Sequence, residues 1–193
     1  MNRQLIIVGA ATAALVASSG VALASAGDRN EQGESAESAS LTTVANVIRC
    51  DGGRQKNIRT RIANTPFQLN ETPTGVDTAV PGANLSFSGP TAGTDTVVVT
   101  FSGETRLFGG EPDDWMGIEV KLDGTNIQPY TAAGDVMALN SEDSWNMHSA
   151  QFCVTVKPGP HRLQVFTNFQ DNGTDNALSS WIDDYTASFE RYE

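Results

Sequence analysis

From Leu41 to the end of the chain, apolar residues alternate with polar ones in short runs that stop at Gly, Pro, Asn or Asp. No stretch sustains the helical period, so the pattern predicts an all-β domain. Residues 95–101 (DTVVVTF) place Val97, Val99 and Phe101 on one face and Val98 and Thr100 on the other, because successive side chains of a strand point to opposite sides. Residues 115–122 predict a strand with Ile118, Val120 and Leu122 inward and Glu119 and Lys121 outward. Phe152, Val154 and Val156 share a face, which turns Cys153 away, and residues 161–169 follow with Leu163, Val165 and Thr167. Between them, Lys157-Pro158-Gly159-Pro160 reads as a type II turn, Pro fixing one φ and Gly supplying the positive one. Residues 150–169 are therefore expected to form a β-hairpin.

The last strand, 180–192, carries Trp181, Tyr185 and Phe189 at even spacings, with Asp183 on the same face in conflict with burial. Shorter runs at 58–63, 66–69, 84–88, 125–130 and 135–139 complete the set. About eight to ten strands of this kind are satisfied most simply by two antiparallel sheets packed face to face. A jelly-roll-type sandwich is preferred over an immunoglobulin-like one, since Cys50 and Cys153 are too far apart to flank a core Trp in the immunoglobulin manner.

Ahead of this pattern, residues 1–26 have the form of a signal peptide. Arg3 precedes an apolar run over 5–16, and Val21-Ala22-Leu23-Ala24-Ser25-Ala26 offers cleavage after Ala24 or Ala26. Ser18, Ser19 and Gly20 cut the run short of the roughly 20 apolar residues that a spanning helix needs. Residues 27–40 (GDRNEQGESAESAS) hold no bulky apolar side chain and are expected to form a disordered acidic, Ser-rich leader. One sandwich domain is then left over 41–193. Export places the two cysteines in an oxidising compartment and predicts a Cys50–Cys153 disulfide.

The chain carries 12 Lys and Arg against 23 Asp and Glu, and its formal net charge is −11. Such a surface repels phosphate backbones and anionic membranes. It excludes nucleic acid as a partner, argues against membrane insertion after signal removal, and suits solubility outside the cell.

Acids cluster at Glu111-Pro112-Asp113-Asp114, at Glu142-Asp143 and at Asp171-Asn172-Gly173-Thr174-Asp175. The last segment sets oxygens at alternate positions around a glycine, so Asp171 and Asp175 are candidate calcium ligands, although the rest of an EF-hand loop is missing. No other cofactor is implied. Trp115, Trp145 and Tyr130, with Asp113 and Asp114 beside the first, are candidate ligand contacts: indole rings stack on sugar faces while carboxylates bind hydroxyls. Trp181 is expected in the core, where such rings bury much apolar area.

The two histidines form no metal motif and no nucleophile elbow surrounds a serine. His148 is expected near Glu142 or Asp143, and His161 in an exposed turn. These features suit an exported, non-catalytic sandwich that binds an extracellular ligand, with carbohydrate or a cell-surface polymer preferred. The alternatives are a structural or interaction protein, oligomeric through an exposed sheet face, and a small hydrolase using carboxylates such as Asp183.

Overall fold

The computed structural model describes residues 49–70, 75–111, 113–129, 136–172 and 178–193. The expected signal peptide and leader lie outside them. The described residues form ten strands: β1 (Gln55–Ala63), β2 (Phe67–Asn70), β3 (Thr78–Ser88), β4 (Asp95–Phe108), β5 (Trp115–Leu122), β6 (Thr125–Asn126), β7 (Met137–Asn140), β8 (Asn146–Val156), β9 (Pro160–Gln170) and β10 (Ser179–Tyr192). One sheet has the order β1-β10-β4-β8, with β2 extending the β1 flank of β10. The other has the order β3-β9-β5-β6, and β7 also pairs with β5.

Every pairing is antiparallel, and the partners nest. The strand β10 pairs with β1, β9 with β3, β8 with β4, and β7 with β5. The chain is thus one long hairpin rolled into two sheets, which is the jelly roll expected from the strand pattern.

Alternation along β4 explains the core. Val97, Val99, Phe101, Gly103, Thr105 and Leu107 are buried, while the alternate residues Val98, Thr100, Ser102, Glu104 and Arg106 are only half-buried. Against them the second sheet sets Leu85, Ile118, Val120, Leu163, Val165 and Phe169. Phe101 stacks on Tyr185 with ring centroids 5.5 Å apart, and the Tyr185 hydroxyl donates to the Pro81 carbonyl, tying β10 to β3.

Four expectations change. Residues 150–169 are not a hairpin: β8 belongs to one sheet and β9 to the other, so the Pro-Gly turn carries the chain between layers. Trp181 is not core, nor do Trp181 and Asp183 share the face of Tyr185 and Phe189. Ile182 lies opposite Thr105 and Tyr185 opposite Gly103, so β10 holds one residue more than β4 there. That β-bulge at Asp183-Asp184 resets the alternation: Ser180 and Ile182 face inward before it, and Tyr185, Ala187 and Phe189 after it. Glu119, expected outward in solvent, is only 6% exposed, because Asn126 and Lys121 cover it. Finally, β4 runs on to Phe108, whereas the run expected over 125–130 shortens to Thr125–Asn126.

The Cys50–Cys153 disulfide is present. From it, residues 50–53 form a strap across the first sheet from β8 toward β1. Asp51 accepts a hydrogen bond from Thr96 of β4, with Oγ1 2.8 Å from its carbonyl oxygen. A Cβ on Gly52 would fall 2.6 Å from Tyr192 Cβ, and one on Gly53 would fall 2.1 Å from the Glu193 carbonyl oxygen, so only glycine lets the strap lie this close. Arg54 and Glu193 then exchange backbone hydrogen bonds of 3.0 Å, leading into the β1–β10 ladder.

Candidate functional site

Three connections meet at one end of the sandwich: β4–β5, β7–β8 and β9–β10. In the first, Asp114 is 1% exposed and acts as a brace. Its Oδ2 accepts the Glu111 N–H at 2.8 Å and its Oδ1 accepts the Asn172 N–H at 2.8 Å. The Asn172 side chain donates in turn to the Asp113 carbonyl at 2.6 Å. The β4–β5 and β9–β10 connections are locked together in this way. Beside them lies an open groove of about 530 Å³ lined by Asp113, Asp114, Trp115, Ala138, Ser141 and Asn172. Trp115, Asp113 and Asp114, named from the sequence as candidate ligand contacts, thus line one groove, and the Trp115 indole N–H is buried there without a partner.

The β7–β8 connection is shaped by Asn140, whose Oδ1 accepts the Glu142 N–H at 2.7 Å and whose Nδ2 donates to Thr105 Oγ1 at 3.0 Å. The Glu142 carbonyl takes the Leu107 N–H at 3.0 Å, and the Glu142 carboxylate receives Asn146 Nδ2 at 3.1 Å. Asp143 accepts Arg106 Nε at 2.8 Å. Trp145, 40% exposed, packs edge to face on Trp181 with centroids 6.5 Å apart and planes at 73°. Arg106 pairs with Trp181 across the β4–β10 ladder, and its guanidinium lies 4.1 Å from the Phe108 ring centroid. The outer face of the first sheet therefore carries Trp181, Arg106 and Trp145 across neighbouring strands, with Phe108 and exposed Met147 alongside.

Ser141 of the β7–β8 connection lines the Trp115 groove, but Trp145 does not; it packs on Trp181, and Asp143 pairs with Arg106. Tyr130 and Asp175 lie outside the described residues. Among the described residues no group of three His, Cys, Asp or Glu side chains is placed to hold a metal ion.

His148 Nδ1 meets Thr105 Oγ1 at 2.9 Å rather than Glu142 or Asp143, whose oxygens are engaged as above. His161 Nδ1 lies 2.7 Å from Asp123 Oδ2 and its Nε2 lies 2.8 Å from the Lys157 carbonyl. Hydrogen bonding to Asp123, then to that carbonyl, raises the imidazole pKa above its ordinary value.

A pair of carboxylates with opposed shifts occurs on the second sheet. Burial holds the Glu119 carboxyl above its usual range, with neighbouring Asp77 adding to the rise and Lys121 opposing it. Burial also pushes Asp77 up, but hydrogen bonds from Lys121, Asn168 and Glu119 outweigh it and leave Asp77 lowered. Lys121 donates to Asp77, and its Nζ lies 2.9 Å from Glu119 Oε1. Asn168 Nδ2 donates to Asp77 at 2.9 Å and Asn126 Nδ2 to Glu119 at 2.6 Å. Both Asp77 oxygens and Glu119 Oε2 are spent on the protein's own donors, while Glu119 Oε1 is buried at ion-pair distance from Lys121 without a hydrogen bond.

No family model and no curated protein matches the sequence. Solved structures show a weak likeness to the chain. The VP2 subviral particle of infectious bursal disease virus is 12% identical with a TM-score of 0.46, over 72% of this chain and 33% of that one. The Gx strain of the same virus gives 13% and 0.44, over 72% and 33%. Dimeric latent PorU from Porphyromonas gingivalis gives 10% and 0.32, over 75% and 14%. The chain spans about a third of the viral chains it matches. At these identities and scores the likeness says nothing about function.

Proposed function

We propose that the protein is an exported, non-catalytic β-sandwich that binds an extracellular polymer, carbohydrate in preference, at the loop end of the first sheet. The observation that carries this reading is the Trp145–Trp181 pair, held on the outer sheet face where the core has no use for it. Indole faces at such a site stack on sugar rings, while Arg106 beside Trp181 offers hydrogen bonds to hydroxyls. The disulfide supports export, as does the form of residues 1–26. Among the described residues no helix is long and apolar enough to cross a membrane.

Pull-down on insoluble polysaccharides tests the reading. Trp145→Ala and Trp181→Ala should each weaken retention about tenfold, the usual weight of a buried aromatic contact. Retention unaffected by both, or absent with every polysaccharide, removes carbohydrate. Calcium at Asp171 and Asp175 is an accessory proposal, and an unfolding midpoint equal in calcium and in EDTA removes it.

A second reading, a contact face for another protein or a second copy, is favoured by Ile58 and Ile62. They stand 52% and 78% exposed on the outer flank of β1. A strict monomer in light scattering removes the self-association form of it.

A further inference from the structure

The strand β1 is inverted for an edge strand of a sandwich. Its register sets Ile58 opposite Glu190 and Ile62 opposite Thr186 on the outer face, but Arg59 opposite Phe189 and Arg61 opposite Ala187 on the face that should be core. The space behind β1 is accordingly not filled. A groove of about 320 Å³ runs there between β1 and β3, lined by Asn57, Arg59, Arg61, Ser86, Ser88 and Arg191 over a floor of Leu85, Phe87, Val97 and Phe189.

No Asp or Glu is among these lining residues, although acids outnumber bases 23 to 12 in the chain. Arg191 is matched by Asp95, to which its Nε donates, and its Nη1 reaches the Ser88 carbonyl at 2.6 Å. Arg59 and Arg61 are exposed and join no ion pair among the described residues. Two uncompensated guanidiniums over an apolar floor select a ligand with a charged head and an apolar body. Guanidinium forks match planar and tetrahedral oxyanions, and a volume near 300 Å³ suits a small organic molecule.

We propose that this groove binds an organic anion, a carboxylate or sulfate monoester carried on a short apolar body. The head would sit between Arg59 and Arg61, and the body would lie on Phe87 and Phe189. The site lies on the inner side of β1, away from the tryptophan face, and does not depend on the carbohydrate reading.

Isothermal titration of the disulfide-intact protein with hexanoate, hexyl sulfate, hexan-1-ol and inorganic sulfate tests it. The expected result is saturable binding of hexanoate or hexyl sulfate, weakening as salt rises. Binding should fall about tenfold or more in Arg59→Gln/Arg61→Gln, whose unfolding midpoint stays at the parent value because both side chains are exposed. Failure of both organic anions to bind overturns the proposal. So does equal binding of hexan-1-ol, which would make the charge irrelevant, or of inorganic sulfate, which would make the apolar floor irrelevant. A double variant that binds as the parent does but self-associates would instead make the two arginines guards of an open sheet edge.

Discussion

His161 meets two acceptors, the Asp123 carboxylate and the Lys157 carbonyl, so the fold favours the imidazolium, which has an N–H for each. A folded-state pKa raised above the ordinary value of about 6.5 means stability that is complete below that value and lost as pH rises through the folded one. The expected outcome is an unfolding midpoint that declines from pH 6 toward pH 9, with the decline absent in His161→Gln. An NMR titration should place His161 above an unperturbed histidine. Two ion pairs show how burial sets the scale of charge effects. Arg106–Asp143 is part-exposed, and exposed pairs contribute less than about 1 kcal/mol. Arg191–Asp95 is nearly closed to solvent, and Asp95→Asn, which leaves that guanidinium buried without its counter-charge, should cost about 3–5 kcal/mol in urea unfolding. Neither Arg106 nor Trp181 stood out as a site residue in the sequence. Outward-facing strand positions carry a polarity signal, but nothing local to them says which neighbours stand across the ladder.

Strands with strict alternation, β4 and β5, could be placed from sequence because burial of one face dictates the pattern. The strand β10 misleads because its parity changes partway. Ile182 and Tyr185 are both buried although they are an odd number of positions apart, which requires an extra residue between them, and the adjacent pair Asp183-Asp184 marks the place. Deleting exposed Asp184 would leave Asp183 alone opposite Glu104, so the bulge would vanish while Ile182 stays opposite Thr105 and Tyr185 opposite Gly103. Both halves keep their inward faces, and a loss of about 1 kcal/mol or less is expected in chemical denaturation. A loss of about 3 kcal/mol or more, as a one-residue slip that exposes Ile182 and forces Trp181 into a filled core would give, would refute the bulge as a single extra residue. The Pro158-Gly159 turn misled for another reason. Its residues specify a local backbone path, with Gly159 at a positive φ, and that path serves a crossover between sheets as well as a hairpin. Glu119 was misplaced because Asp77, Asn126 and Asn168, which complete its surroundings, come from elsewhere in the chain.

At the level of the whole molecule, the two-sheet class followed from many short alternating runs, and the nesting of β10 on β1 and β9 on β3 came only with the structure. The disulfide closes a separation of 103 residues, for which the chain-entropy account gives a stabilisation of about 4.7 kcal/mol at most. Cys50→Ser/Cys153→Ser should therefore lower the free energy of unfolding by up to that amount, and reducing agent should lower the midpoint of the parent but not of the variant. Equal midpoints in all conditions would show the bridge to be dispensable. The strap that begins at this bridge also decides how the domain answers a pull. Tension on the chain ahead of Cys50 passes through the sulfurs into β8, so it is borne by the covalent link and spread over the β8–β4 ladder. Without the bridge the same tension would reach β1 first and unzip it from β10 one hydrogen bond at a time. The outermost strand, with both its exposed isoleucines and its arginines, is in this way shielded from load.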